Sequence, residues 1–218
     1  MGEKGRRLGG LTVTASALAG VLTLAASPSD RAAPSPDFGP AVPARASGPA
    51  EHPGPTATDP DPGHRSERPL PPPRRVLVRD VGLDAPVRPV GVTGQGTLAV
   101  PSNPTVAGWY RFGPAPGSSR GSAVLVGHVD SDSGTLGEFA ALSGVRPGDR
   151  VEVHRAEAAP AVYRIVARTT VPKGDLPSSV FRRTGSPVLT LITCAPPFVP
   201  DRGGYLANVV VTAEPVRE

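Results

Sequence analysis

Cysteine is nearly absent from this chain of 218 residues, because Cys194 is the only one. A single cysteine excludes an internal disulfide bond, and no cysteine or histidine cluster has the spacing of a structural zinc site. A large excess of charge of one sign is also lacking, since 23 basic and 19 acidic residues leave a net charge of +4. So small an excess forms no basic stripe, and we expect no nucleic-acid binding. We also expect no metal and no organic cofactor.

Aromatic residues are scarce at 4%, and hydrophobic residues make up only 38% of the chain. The residues that are abundant are 29 prolines and 26 glycines, about a quarter of the sequence. Proline removes a helical hydrogen-bond donor and glycine costs about 1 kcal/mol at an interior helix position, so a mostly helical protein is excluded. The low hydrophobic content predicts that part of the chain does not fold.

The N-terminal segment, residues 1–27, is predicted to be a signal peptide or a signal-anchor transmembrane helix. Residues 1–7 carry three basic side chains, and residues 8–27 carry no formal charge. At about 1.5 Å per residue, twenty helical residues reach the ~30 Å of membrane hydrocarbon. We favour an uncleaved anchor with the rest of the chain outside the cell membrane, and a secreted protein is the alternative if the signal is cleaved.

The next segment, residues 28–74, is predicted to be a disordered Pro-rich linker. It contains 14 prolines, and its large apolar side chains are few, chiefly Phe38, Val42 and Leu70. Such a composition cannot bury enough surface to fold and favours an extended spacer.

The remaining residues, 75–218, are predicted to form one mainly-β domain. Short β-rich runs alternate there with glycine and proline, which predicts an eight-stranded, largely antiparallel barrel with one or two short helices. The predicted strands are 76–79, 97–100, 108–112, 122–127, 150–155, 161–168, 188–194 and 208–213. The predicted helical turns are 136–142 and 176–181.

Cys194 is a candidate nucleophile. It follows the apolar run VLTLIT and precedes Ala195-Pro196-Pro197, so we expect the strand to end next to the sulfur. A side chain at a strand end is held firmly and is open to solvent, as a nucleophile requires. A buried, inert cysteine is the alternative from these residues alone.

His128 is the candidate base. It follows the apolar run AVLVG and lies at the end of a predicted strand, whereas alternation along RVEVHR turns His154 towards solvent. Two strand ends could bring His128 and Cys194 together at one mouth of a barrel, although a lone histidine there is more often an ordinary surface residue.

The segments LTLITC, VLVGHVDS and VPSNPTVAGWYRFGPAPGSSRGSAV together resemble the sortase family over roughly Val76 to Ala213. TLITC, at 190–194, is similar to the family's TLxTC signature. The N-terminal segment, the Pro-rich spacer and the high arginine and proline content look most like the class F sortases of actinobacteria.

This resemblance implies a membrane-anchored, monomeric cysteine transpeptidase with a sortase-type β-barrel. Such an enzyme cleaves an LPxTG-like sorting signal through a thioester and transfers the protein to an amine of a peptidoglycan precursor. Cys194 would be the nucleophile and His128 the general acid/base, in agreement with the chemistry of a thiol beside an imidazole.

Sortases also use an arginine near the strand that follows the cysteine. Leu206 and Asn208 stand where family members often carry it, and Arg202 is the only arginine between Cys194 and the last predicted strand. We therefore expect Arg202 to be the third catalytic residue, with Arg111 as the second choice and a solvated loop arginine as the alternative.

Two further residues are expected to support substrate binding. Thr193 belongs to the signature, although alternation places it on the strand face opposite Cys194. Asp130 follows His128 by two residues and could orient the ring or a substrate amine, or simply cap the local backbone.

Two rival functions remain open at the level of sequence. A non-catalytic surface module could keep the barrel for binding, and an L,D-transpeptidase would also be an exported cysteine acyl-transferase. The second usually places an arginine close after its cysteine, and CAPPF has none.

Overall fold

The computed structural model describes residues 36–40 and 70–216. Within these residues it contains eight β-strands and five short 3₁₀ helices. The strands are β1 (Pro73–Val78), β2 (Leu83–Val90), β3 (Ala107–Tyr110), β4 (Ser122–Val126), β5 (Arg150–Arg155), β6 (Ala158–Pro172), β7 (Val188–Val199) and β8 (Gly204–Pro215). The 3₁₀ helices are Arg79–Val81, Glu138–Gly144, Lys173–Asp175, Ser178–Phe181 and Pro200–Arg202.

The strands form one closed barrel in the order β1-β2-β3-β4-β7-β8-β6-β5. Six of the eight neighbouring pairs are antiparallel, and the parallel pairs are β2 with β3 and β4 with β7. The predicted mainly-β, largely antiparallel barrel is therefore confirmed. The predicted signal anchor, 1–27, lies outside the described residues. No helix among those described is long and apolar enough to cross a membrane.

The strand β2 takes the place of one of the eight predicted strands. β2, with the sequence LDAPVRPV, was not predicted, and residues 97–100 form only a single bridge between Leu98 and Val92. Pro86 and Pro89 lack the N–H donors of a regular strand, which disguises β2 in the sequence. Its alternating burial is nevertheless that of a strand with one face on the core.

Two apolar clusters lie on opposite faces of the sheet around the site. The larger cluster contains the alternating residues Leu189, Leu191 and Ala195 of β7. The smaller cluster, which we call the outer cluster, consists of Val124, Val126, Val180, Ile192 and Val210. In β4, β7 and β8, side chains on the same strand face as the outer cluster therefore point away from the larger cluster, which we call the main core.

β7 does not end at the sulfur, contrary to the prediction. It continues to Val199 and pairs with β8 on both sides of Cys194, with a register shift between Ala195 and Phe198. Pro196 and Pro197 cannot donate to the ladder, so they interrupt the pairing as a bulge without terminating the strand.

Residues 36–40 form a short segment, the N-terminal strap, that lies on β6. Phe38 and Arg168 exchange two main-chain hydrogen bonds, each 2.9 Å long. Nη2 of Arg168 donates to the carbonyl oxygen of Pro36 at 2.6 Å, and the N–H of Thr170 donates to the carboxylate of Asp37 at 2.7 Å. These five residues belong to the predicted disordered linker, and they differ from that prediction because Phe38 packs on the main core.

Candidate active site

Three neighbouring strands carry the candidate site. Val126 of β4 is paired with Ile192 of β7, and Ile192 is paired with Val210 of β8. These three residues form one row of the outer cluster. The pairing of β4 with β7 continues one residue further, because the N–H of Gly127 donates to the carbonyl oxygen of Ile192 at 3.1 Å.

The next row of the same face contains the candidate catalytic residues. Cys194 of β7 is paired with Asn208 of β8, and His128 follows Gly127 at the end of β4. All three side chains are half-buried and line one cavity of about 690 Å³. The structure thus brings His128 and Cys194 together from positions 66 residues apart in the chain.

The cavity has apolar walls around this polar row. Tyr110, Leu176 and Phe181 are among its apolar and aromatic lining residues, and Lys173 is its only lysine or arginine within 36–40 and 70–216. Such an arrangement, with few polar groups in an apolar groove, is typical of a site that binds a peptide or small molecule.

The imidazole of His128 is oriented by the main chain. Its Nε2 lies 2.8 Å from the carbonyl oxygen of Pro101. A carbonyl oxygen only accepts hydrogen bonds, so Nε2 carries a proton in this arrangement. In the neutral ring Nδ1 is then the nitrogen without a proton, and the Pro101 carbonyl fixes this tautomer.

Close packing holds the segment that carries His128. A Cβ atom at Gly127 would lie 2.5 Å from the ring of Phe139, which is fully buried. Phe139 belongs to the 3₁₀ helix Glu138–Gly144, so this helix supports the end of β4 from the side of the main core.

Asp130 is hydrogen-bonded to β8, the strand that is paired with β7 at Cys194. Its carboxylate accepts a hydrogen bond from the hydroxyl of Tyr205 on β8, and the Tyr205 ring packs edge-on against Phe198 at 5.1 Å. Burial raises the pKa of Tyr205 to about 12, and the bond to Asp130, the charge of Asp130 and the nearby Cys194 act in the same direction. The Asp130–Tyr205 contact therefore connects the His128 loop to β8.

Thr193 faces the other side of β7, as alternation predicted. It is only 4% exposed, and its hydroxyl has no hydrogen-bond partner among the described residues. Thr193 and Cys194 also line a second cavity, of about 550 Å³, whose wall includes Glu138, Pro196 and Val209. The cysteine is therefore reached by two cavities.

A family model for the sortase domain matches residues 76–216, which is more than half of the chain. The chain belongs to the sortase family. Members of this family are cysteine transpeptidases that act on sorting-signal proteins and cell-wall amines. No sequence match was found among curated proteins.

Solved sortase structures share this fold. Sortase C-1 from Actinomyces oris is 22% identical with a TM-score of 0.51, over 66% of this chain and 73% of that one. Sortase C1 from Streptococcus suis is 18% identical with a TM-score of 0.51, over 67% and 73%. Sortase A from Listeria monocytogenes is 21% identical with a TM-score of 0.50, over 66% and 86%.

The arginine expected in this sortase is not beside the cysteine. Arg202 lies in the 3₁₀ helix Pro200–Arg202 at the tip of the β7–β8 hairpin, is exposed, and lines neither cavity. Val199, the last residue of β7, is five steps along the strand from Cys194, on the order of 15 Å, and Arg202 lies beyond it. Arg111, the second choice, is also exposed and stacks on Phe112 with its guanidinium carbon 4.8 Å from the ring centroid.

Two polar residues of the cavity were not assigned a role from the sequence. From the sequence, Asn208 is only a position at which sortases often have arginine, and nothing marks Lys173 as a site residue. Asn208 begins the predicted strand 208–213, so its place at the start of β8's apolar run was visible in the sequence. Its pairing with Cys194, however, depends on the length of the β7–β8 connection and on the bulge. Lys173 follows β6, whose end at Pro172 was predicted four residues too early.

Proposed function

We propose that this sortase is an active, class F-like cysteine transpeptidase. It cleaves an LPxTG-like sorting signal with Cys194 as nucleophile and His128 as general acid/base. The observation that carries this proposal is that His128, just beyond the end of β4, and Cys194, on the paired strand β7, line one cavity. The class F assignment is supported by the charge-free stretch 8–27 behind a basic N-terminus and by the Pro-rich linker.

The proposed reaction has two stages. The Cys194 thiolate attacks the carbonyl carbon of the scissile peptide bond, and the departing amine takes a proton from the His128 imidazolium as the C–N bond breaks. A thioester with Cys194 remains. An amine of a peptidoglycan precursor then attacks this thioester, loses a proton to the imidazole and releases the thiolate.

The two cavities that meet at Cys194 support a reaction with two substrates. The larger contains His128 and most of the aromatic lining, and offers room for the sorting peptide. The smaller contains the half-buried carboxylate of Glu138, which suits an ammonium group. Hydrolysis by water would be the slower alternative fate of the thioester.

Supporting roles are proposed for Thr193 and Asp130. Thr193 lines both cavities, and its hydroxyl has no hydrogen-bond partner among the residues that the structure describes, so we assign it to substrate binding. Asp130 acts through Tyr205, with which it holds the His128 loop next to β8.

The proposed setting is the outer face of the cell membrane. Residues 1–27 would serve as a single-pass signal anchor, and the catalytic domain would act as a monomer without a cofactor. The partners would be sorting-signal proteins and the amine of the cell-wall precursor.

The experiment combines thiol labelling with peptide cleavage by the full-length chain. We expect a methanethiosulfonate reagent to modify Cys194 and abolish cleavage of a fluorogenic LPxTG-type peptide, and hydroxylamine to release the peptide as a hydroxamate. We expect Cys194→Ala to be inactive in both assays. Cleavage by Cys194→Ala would refute the proposal.

A binding module without catalysis is the second candidate. The remote position of Arg202 favours it, because no arginine of the described part of the chain lines the cavity. A wild-type chain that bound the peptide but formed neither thioester nor hydroxamate would establish this alternative.

A further inference from the structure

We propose that Asn208 is a catalytic residue of this sortase, which donates its side-chain N–H to the carbonyl oxygen of the bond under attack. This inference rests on the proposed function and specifies its electrostatic component. It assigns to a neutral carboxamide the position next to the cysteine that the sequence led us to expect for an arginine.

The register of the β7–β8 pair places Asn208 beside the cysteine. Cys194 and Asn208 are opposed residues of the antiparallel pair β7–β8. Opposed residues in such a pair have Cα atoms about 4.5–5.5 Å apart and side chains on the same face. One carbonyl group held against the sulfur can therefore also reach the carboxamide.

Availability is the second argument. Asn208 is half-buried and lines the 690 Å³ cavity together with Cys194 and His128. Its carboxamide makes no hydrogen bond to any of the described residues. The N–H groups therefore need not give up a protein partner when they bind a substrate oxygen.

The other donors are less well placed. Arg202 is at the hairpin tip, and Thr193 is on the opposite face of β7. Lys173 lines the cavity but is exposed and follows the end of β6, two strands away from Cys194. Lys173 contributes positive potential, whereas direct contact with the reacting carbonyl falls to Asn208.

The chemical step is an ordinary addition. The Cys194 sulfur forms a bond to the carbonyl carbon, and the π electron pair of the C=O bond moves to oxygen. The oxyanion accepts the hydrogen bond from Nδ2 of Asn208. When the pair returns, the C–N bond breaks and the amine leaves with the proton from His128. A hydrogen bond that strengthens as negative charge develops on the oxygen lowers the activation barrier of this step. It changes the affinity for the peptide much less.

The test compares Asn208→Leu, which removes the donor, with Asn208→Asp, which keeps the shape and replaces the donor with a negative charge. We expect kcat for the LPxTG-type peptide to fall about 10²- to 10³-fold in Asn208→Leu, and KM to change less than threefold. In Asn208→Asp, kcat should fall by at least the same factor. The rate of alkylation of Cys194 by iodoacetamide should stay within about twofold of wild type in Asn208→Leu. A merely structural defect at the thiol would change that rate.

Controls and contrary outcomes separate this inference from the function it rests on. Glu214→Ala, an exposed position on the same strand, should leave kcat unchanged. The assignment of Asn208 is overturned if both Asn208 variants keep kcat within threefold, or if Arg202→Ala or Lys173→Ala reduces kcat more than Asn208→Leu does. A wild-type chain that formed no acyl-enzyme would overturn the proposed function itself.

Discussion

The hydroxyl of Tyr205 on β8 donates a hydrogen bond to the carboxylate of Asp130, which lies two residues after His128. This contact joins the loop that holds the imidazole to the strand that faces the thiol. Because it is made by a phenol and a carboxylate, it can be followed through the titration of tyrosine as well as through activity.

The first prediction concerns that titration. Because the pKa of Tyr205 is raised to about 12, in part by Asp130, we expect Asp130→Asn to lower it. Tyrosinate absorbance at 295 nm, measured from pH 9 to 12.5, provides the measurement. Tyr205→Phe identifies the step that belongs to this residue. An identical curve for wild type and Asp130→Asn would contradict the contact.

The second prediction concerns stability at high pH. The pKa of Tyr205 is about 12 in the folded chain against an ordinary value of 10.0, so the unfolded chain loses this proton first as the pH rises. The contribution to the free energy of unfolding is fully present below pH 10 and disappears between about pH 10 and 12. The free energy of unfolding, measured with urea, should therefore decline less steeply with pH over this range in Tyr205→Phe than in wild type. Equal slopes would show that the phenol does not contribute.

The third prediction concerns the acid/base residue. His128→Ala should lower kcat for peptide cleavage by about two to four orders of magnitude, because a positioned imidazole contributes about that much to proton transfer. Steady-state cleavage of the fluorogenic peptide provides the measurement. Thermal unfolding serves as the control for folding, since the side chain is only half-buried. A loss below tenfold would assign the proton transfer to another group.

The fourth prediction concerns Gly127. A methyl group there would lie 2.5 Å from the Phe139 ring, so Gly127→Ala must displace the segment that carries His128 or the helix beneath it. We expect a loss of about 1–3 kcal/mol in the free energy of unfolding and a lower kcat. Gly144→Ala is the matched control, because its added atom would be 3.6 Å from Val81 in ordinary contact. Equal effects of the two substitutions would rule out the close contact as the cause.

The fifth prediction concerns the N-terminal strap. Phe38 packs on the main core, and its ring centroid lies 5.3 Å from the guanidinium carbon of Arg168. We expect Phe38→Ala to lower the free energy of unfolding by about 1–2 kcal/mol, as measured by denaturant unfolding of the full-length chain. Leu70→Ala, just before β1 and 37% exposed, should change it by less than half as much. No difference between the two variants would contradict docking of the strap.

Much of the barrel could be predicted from the sequence because β-branched runs and their alternation are local. The runs in β4 and β7 gave both strands and the faces of Thr193 and Cys194 correctly. β2 was missed because its two prolines are typical of loops, and only pairing with β1 and β3 shows its role. The bulge at Pro196 was taken for a strand end for the same reason.

The candidate site was predictable where it depended on residue chemistry and not where it depended on register. Cys194 and His128 could be selected as a thiol and an imidazole after apolar runs, although β7 continues past the cysteine. Asn208 could not be preferred to Arg202, because a shift of one residue in the β7–β8 hairpin would place a different side chain opposite the cysteine. The strap was also beyond prediction, since its partner, Arg168, is more than a hundred residues away.

The strap changes where mechanical load enters the barrel. A pull on the N-terminus of a tethered copy would reach β6 through Phe38 before it reached β1, so the two hydrogen bonds between Phe38 and Arg168 would resist it first. A shortened chain that starts at β1 would also leave the guanidinium of Arg168, which is only 2% exposed, without the Pro36 carbonyl. Recombinant versions of the domain should accordingly begin before residue 36 if they are to have the thermal resistance of the complete chain.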